Sequence, residues 1–407
     1  MIRTDCVVIG GGPAGMACAL SVAENGSEVV LLERDGVLGG ILNQCIHNGF
    51  GLHYFKEELT GPEFAHRLRK KVESNKKIKV YTNTLVTKIE DKKVETIGAL
   101  GIETIDAKAV VLAMGCRERT PANINLCGTR PMGVLTAGTA QKMVNIDGKM
   151  PGKDVVILGS GDIGLIMARR LTLEGAKVHA VFEINSTSSG LRRNIMQCLE
   201  DFSIPLYFNT TIFEVVGKDR VEGVWYGQVD DDFKPIESTK KFLKCDTLIL
   251  SVGLVPEMNL ANFAKTSRVT NGAVVNEFYQ TDKEWLFSCG NILHVHDLVD
   301  NVAMEAEQAG KFASQYAQGK LKGAQRKLDV VASSEFSYAL PHSIFEGKGE
   351  VDLKFRLKNK VVRKTIVAKS GDLILGKKFI LAGVPGEMLT MKIQKNGAKE
   401  KIALEIV

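Results

Sequence analysis

The feature that most constrains this chain is a pattern that occurs twice: a short apolar strand, a Gly-x-Gly-x-x-Gly turn, a helical stretch and a second strand ending on a glutamate. The first copy runs CVVIG from Cys6, turns through Gly10-x-Gly12-x-x-Gly15, continues alanine-rich to Gly26 and closes with EVVLLE at Glu33. The second runs DVVILG from Asp154, turns through Gly159-x-Gly161-x-x-Gly164 and closes with KVHAVFE at Glu183. In such a β-α-β unit the glycines let backbone N–H groups and the positive helix end approach a pyrophosphate, and the carboxylate accepts ribose hydroxyls. Two units about 150 residues apart therefore predict two doubly wound domains.

Each motif supplies candidate cofactor-binding residues. In the first these are Gly10, Gly12, Pro13, Ala14, Gly15, Glu33, Arg34 and Gly40, read as a site for FAD. In the second they are Gly159, Gly161, Asp162, Ile163, Gly164 and Glu183, read as a site for NAD(H). A carboxylate at Glu183 would repel a 2′-phosphate by an amount on the order of several kcal/mol and accept from a free 2′-hydroxyl, so NAD(H) is expected in preference to NADP(H). Arg192 and Arg193 follow it and are read as surface residues at a helix start.

A chain of 407 residues exceeds a single core. Two short apolar strands, VVLAMG ending at Gly115 and LILSVG ending at Gly253, return the chain to a sheet, and both glycines join the cofactor-binding candidates. The expected domains are a discontinuous FAD-binding domain (1–118 and 254–325), a crossing segment (119–150), an NAD(H)-binding domain (151–253) and a β-sandwich-like domain (330–407). The last rests on period-two alternation at Val351, Leu353, Phe355 and Leu357, at Leu389, Met391 and Ile393, and at Ile402, Leu404 and Ile406, with Asn396-Gly397 read as a hairpin turn. The fold class is thus α/β: two Rossmann-like dinucleotide-binding domains plus a small C-terminal all-β domain.

Composition excludes several roles. The formal charge of +6 is modest and its lysines and arginines are dispersed, which argues against nucleic acid as a partner. No apolar run approaches the ~18 residues of a transmembrane segment. Asp5 interrupts the N-terminal apolar stretch, so no export signal is read, and eight cysteines without a CxxC pair fit a reducing, cytoplasmic compartment. Cys116, Cys127, Cys198 and Cys245 are read as core residues. His294 and His296, with Asp297 and Asp300 nearby, invite a metal, but no third ligand group of suitable spacing accompanies them, so no metal site is expected.

The returns LAMG and LSVG, the late segment LFSCGN, and the stretches GGILNQCIHNGFG, GCRERT, RPMGVLTAGTAQ and CGNILHVHDLVD carry a resemblance. Over about residues 1–325 the chain resembles the pyridine nucleotide-disulfide oxidoreductases, thioredoxin reductase among them. It is similar in particular to the small members related to the α subunits of sarcosine oxidase and dye-linked L-proline dehydrogenase, and to those encoded beside glycerol-3-phosphate dehydrogenase in bacteria. The resemblance implies an FAD-dependent oxidoreductase exchanging hydride between NAD(H) and flavin. It also implies an electron-transfer subunit whose partner dehydrogenase oxidises glycerol 3-phosphate or an amine-type substrate. Family members carry Gly-Asp where this chain has Gly290-Asn291, so Asn291 is expected to bond the ribityl chain, with a helix from about Leu298 directed at the flavin.

Two departures from the family matter. Leu42 stands where disulfide reductases carry the first redox cysteine and only Cys45 remains, so no dithiol relay can form. Cys45 and His47 are the candidate catalytic pair, as a lone redox thiol and its proton partner; the alternative is a packed cysteine and a structural histidine. No cysteine follows Cys289, so the C-terminal domain supplies no thiolate for an iron–sulfur centre. Two other readings stand beside the leading one: a stand-alone NADH oxidase or reductase of a small acceptor using Cys45, and a non-catalytic FAD-binding scaffold subunit. Each is compatible with a homo-oligomer.

Overall fold

The computed structural model describes residues 2–99, 101–321 and 326–407. Part of the polar stretch expected to end the first domain, 322–325, lies outside them. The chain divides into two compact units, Met1–Cys116 with Val255–Val407, and Arg117–Leu254.

The first unit is built on a seven-stranded sheet. Its central strand, Ile2–Ile9, pairs in parallel with Val29–Leu32 on one side and Gly101–Leu112 on the other, with Ile9 opposite both Leu32 and Leu112. Leu286–Ser288 joins Gly101–Leu112 in parallel, Ser288 opposite Leu112. The carboxyl ends of four strands thus meet at one sheet edge, and the residues that follow them include Gly10, Glu33, Gly115 and Gly290. Open α/β sheets bind ligands at such an edge. Toward that edge the three long-paired strands are apolar, at residues 6–9, 29–32 and 109–112, because both faces are covered there. The helices Pro13–Glu24 and Val299–Ala317 pack through alanines on one face, while Val7, Ile9, Val110 and Leu112 form a second core on the other.

The C-terminal part of this unit is all-β. One sheet orders Ser343–Phe345, Lys327–Ala332, Ile402–Ile406, Val361–Ser370 and Leu373–Gly383; a second holds Phe336–Leu340, Glu350–Leu357 and Met388–Gln394. Their inner faces share one core containing Leu353, Phe355, Leu357, Met391, Ile393, Ile402 and Leu404, as the alternation predicts. The hairpin expected at Asn396-Gly397 is corrected: Met388–Gln394 pairs with Glu350–Leu357, whereas Ile402–Ile406 pairs with Val361–Ser370 and Lys327–Ala332 in the other sheet. The turn is a crossover between sheets, with Asn396 Oδ1 accepting the Gly349 N–H at 2.8 Å. A two-residue Asn-Gly motif specifies a tight turn and not the partner of the strand that follows it.

The second unit has a five-stranded parallel sheet in the order Val134–Thr136, Thr247–Leu250, Asp154–Leu158, Lys177–Phe182 and Leu206–Tyr207. An antiparallel sheet of Thr210–Gly217, Val221–Gln228 and Lys241–Lys244 accompanies it. Leu158 lies opposite both Phe182 and Leu250, which sets Gly159 and Glu183 side by side. Within the segment 119–150, Val134–Thr136 forms the edge strand of this sheet and Ala137–Asn145 a helix packed on it.

Candidate functional site

In the first glycine turn each glycine answers a different steric demand. Gly10 has φ +105° and a Cβ there would lie 2.5 Å from the Ala113 carbonyl oxygen; one at Gly15 would lie 1.7 Å from that of Gly10. Gly12 faces open space instead, with nothing within 4 Å of an added Cβ. It is the N-cap of Pro13–Glu24, a helix with no side-chain cap and no acidic residue in its first turn. An uncapped helix end beside an open glycine face suits a phosphate. Glu33 is buried; its Oε2 accepts the Gly11 N–H at 2.7 Å and its Oε1 the Asp35 N–H at 2.8 Å, leaving lone pairs for a hydroxyl. Arg34 is exposed. Gly39 donates its N–H to the Gly11 carbonyl, and Gly40 lies against Gly12. Gly115 has φ +72° and open space beside it.

The late motif folds onto this turn. Gly290 has φ +73°, and a methyl there would lie 2.7 Å from Ala14 Cβ, so the two motifs predicted to share one cofactor touch. Asn291 turns inward: its Oδ1 accepts the His296 backbone N–H at 3.0 Å and lies 3.2 Å from His296 Nδ1. The helix expected near Leu298 runs Val299–Ala317, but its first turn carries a buried acid. The Asp300 carboxylate accepts N–H groups of Gly51, His53 and Tyr54 at 2.7–3.1 Å, tying the loop after Cys45 to the helix start.

Cys45 ends the 3-10 turn Gly40–Gln44, its Sγ 3.3 Å from the Ile41 carbonyl. Burial pushes its thiol up to about 12. At pH 7 that leaves roughly one thiolate in 10⁵, far below what a thiol nucleophile needs. His47 packs its ring 4.9 Å from Phe50. The other cysteines divide: Cys198 and Cys245 are buried as expected, whereas Cys116 is half-buried and Cys127, in a loop rather than a strand, is exposed.

The least foreseeable part of the site surrounds Glu305, a buried carboxylate on a helix rich in buried alanines. Its Oε1 accepts the Gly290 N–H at 2.9 Å, and its Oε2 lies 3.1 Å from His294 Nε2 and 3.3 Å from His296 Nε2, and bonds the Lys354 ammonium. Burial opposes ionisation, but Lys354 and the two imidazoles outweigh it and hold the Glu305 carboxyl well below its usual range. Lys354 is pushed up, burial notwithstanding, by Glu305. His294 is pushed down to about 3 by burial and by His296, so it is neutral, and its Nδ1 meets the Tyr338 hydroxyl at 3.2 Å. Sequence reasoning found no third group beside His294 and His296; Glu305 is that group, and the three donor atoms lie within 4.8 Å of one another. The oxygen a metal would use already carries the Lys354 ammonium, so the chain supplies the cation itself.

In the second unit Gly159 has φ +97°, and Gly161 is the N-cap of the helix Asp162–Leu173, whose Gly164 N–H donates to Ser251 Oγ at 3.1 Å. Gly164 packs on Ser251, and Ile163 is half-buried. Asp162 directs its Oδ1 to the Leu191 N–H and the Asn194 amide at 2.8 and 2.7 Å, so its carboxylate is turned onto the loop that follows the next strand. The buried Glu183 accepts from the Ser160 N–H and hydroxyl and from the Asn185 N–H and amide. Arg192 and Arg193 are exposed at the start of the helix Arg192–Cys198, as expected, and Gly253 is exposed with φ +97°.

Two doubly wound folds, each with a glycine-capped helix behind a glycine turn and a buried glutamate after the next strand, define a two-dinucleotide oxidoreductase. The chain belongs to the pyridine nucleotide-disulphide oxidoreductase family, whose profile matches residues 4–311. It is a member of an FAD-dependent enzyme family that uses NAD(P)H. It is 23% identical over 383 residues to hydrogen cyanide synthase subunit HcnB of Pseudomonas protegens, covering 85% of this chain and 79% of that one. An opine oxidase subunit of Agrobacterium tumefaciens is 24% identical over 288 residues, 64% of this chain; the match spans only 54% of that protein. Among solved structures, T. acidophilum thioredoxin reductase matches 78% of this chain and 99% of its own at 20% identity and a TM-score of 0.62, a likeness of fold. No helix among the described residues is long and apolar enough to cross a membrane.

Proposed function

We propose that this protein is an electron-transfer flavoprotein that takes or returns a hydride as NAD(H) and exchanges the electrons with a partner dehydrogenase subunit. The observation that carries the reading is a complete pair of dinucleotide turns in a chain without a second cysteine beside Cys45, its place held by the buried Leu42. Bound FAD supplies two-electron chemistry from nicotinamide. The chain's own residues do the rest. The Gly12 turn and the start of Pro13–Glu24 hold a pyrophosphate, Glu33 holds a ribose, and Gly290 and Asn291 close the site against Ala14. A ribityl contact from Asn291 uses its amide donors, since His296 takes its oxygen.

Glu183, buried and acceptor-only when ionised, favours NAD(H) over NADP(H) by denying space and charge to a 2′-phosphate. That two of the relatives are named as subunits supports a partner chain here too. The Cys45 reading is disfavoured by a thiol held near 12. Turnover of NADH with an artificial dye separates the two: Cys45→Ser is expected to stay within about threefold of wild type, whereas a loss on the order of 100-fold would place the thiol in the chemistry and overturn the proposal.

A further inference from the structure

We propose that Lys354, on a strand of the C-terminal β part, is a positioning residue for the flavin site, acting through Glu305 on the backbone N–H of Gly290. The inference rests on the reading of Gly290 and Asn291 as cofactor-facing. Glu305 is a buried residue of a helix whose other buried positions include Ala303, Ala306, Ala309 and Ala313, a setting where an unpartnered carboxylate would be strongly disfavoured. Its negative charge is held there by Lys354, whose ammonium also meets the Tyr279 hydroxyl at 3.3 Å and lies 5.4 Å from that ring's centre. The other Glu305 oxygen takes the Gly290 N–H, and Gly290 is pressed against Ala14 in the first turn of the dinucleotide helix. A continuous path of contacts therefore runs Lys354, Glu305, Gly290, Ala14, from the all-β part to the glycine turn.

Two other ion pairs join the same two parts: Arg356 with Asp297, and Lys395 with Glu277 at 2.6 Å. In all three the cation comes from the β part and the anion from the α/β part. Lys395–Glu277 is as buried as Lys354–Glu305, with side chains 11% and 4% exposed, yet its hydrogen bonds end on Phe345 and do not reach Gly290. It is the natural control, because a domain clamp alone predicts that both lysines behave alike.

The experiment compares Lys354→Met, Lys354→Arg, Lys395→Met and the double variant Lys354→Met/Glu305→Gln as full-length proteins. FAD dissociation constants are measured by titrating deflavinated protein, and the visible spectrum of bound flavin is recorded. Lys354→Met is expected to weaken FAD at least tenfold and to change the flavin band shape, while Lys354→Arg and Lys395→Met stay within about twofold of wild type. The double variant removes both charges but keeps an amide oxygen for Gly290, and is expected to recover most of the affinity; it also serves if Lys354→Met does not fold. Equal effects of Lys354→Met and Lys395→Met, or no recovery in the double variant, would overturn the assignment. Wild-type protein that fails to bind FAD would instead overturn the functional reading beneath it.

Discussion

Gly12→Ala separates the fold from the cofactor more cleanly than any other substitution in the glycine turn. Gly12 has φ −72° and ψ −174°, which alanine adopts without strain, and its added methyl meets no protein atom within 4 Å. Loss of unfolded-state freedom favours alanine by ~0.4–1 kcal/mol, and a poorer N-cap opposes by ~0.5–1 kcal/mol, so stability without cofactor is expected to change by less than about 0.5 kcal/mol. The methyl fills the space in which a pyrophosphate must approach the helix N–H groups, and displacing it by about 1 Å forfeits two or more charge-assisted bonds, ~1.5–3 kcal/mol each. FAD affinity should fall by at least 100-fold. Thermal unfolding of deflavinated protein and fluorescence titration with FAD measure the two effects separately. A normally folded Gly12→Ala protein with wild-type FAD affinity would refute the placement of the pyrophosphate. Gly10→Ala is the contrast: at φ +105° with a Cβ 2.5 Å from Ala113 oxygen, it is expected to lose stability along with cofactor.

Acid should destabilise the first unit through two buried imidazoles. Burial pushes His294 down to about 3 and His342 to about 4, so both are neutral when folded and take up protons on unfolding below pH ~6.5. Their contribution is fully present above that value and is lost as pH falls toward 4, by up to ~1.4 kcal/mol per pH unit for each. Urea unfolding between pH 7.5 and 4.5 should show this slope, shallower by about one proton in His342→Gln; a flat profile would contradict the neutral assignment. Glu183→Gln should reduce the preference for NADH over NADPH in kcat/KM by about tenfold, equivalent to ~1.4 kcal/mol, and an unchanged ratio would move discrimination elsewhere.

The two dinucleotide folds were legible because their signals are local: strand, turn, helix and glutamate lie within about 30 residues, and Gly10, Gly12, Gly15 and Glu33 meet through that geometry alone. The alternation at Val351, Leu353, Phe355 and Leu357 gave the buried face of its strand for the same reason. The pairing after Asn396-Gly397 was not legible, since a turn signal does not name the strand that follows as a partner. Lys354 and Glu305 were hidden for a related cause. Lys354 occupies the polar phase of an alternating strand, where a lysine normally meets solvent, and Glu305 is one acid in a helix with several. Only the packing of the β part on the α/β part turns both inward. His294 and His296 drew attention as a possible metal pair, but their third neighbour lies nine residues beyond His296 on the next helix and arrives with its own cation.

The most direct test of the account is anaerobic titration of the purified flavoprotein with NADH and then NADPH, following the flavin absorbance band in the visible. Stoichiometric bleaching by NADH, with much slower bleaching by NADPH, is the predicted result. Flavin that neither nucleotide reduces would contradict the proposed hydride exchange between NAD(H) and flavin and leave a cofactor-holding scaffold in its place.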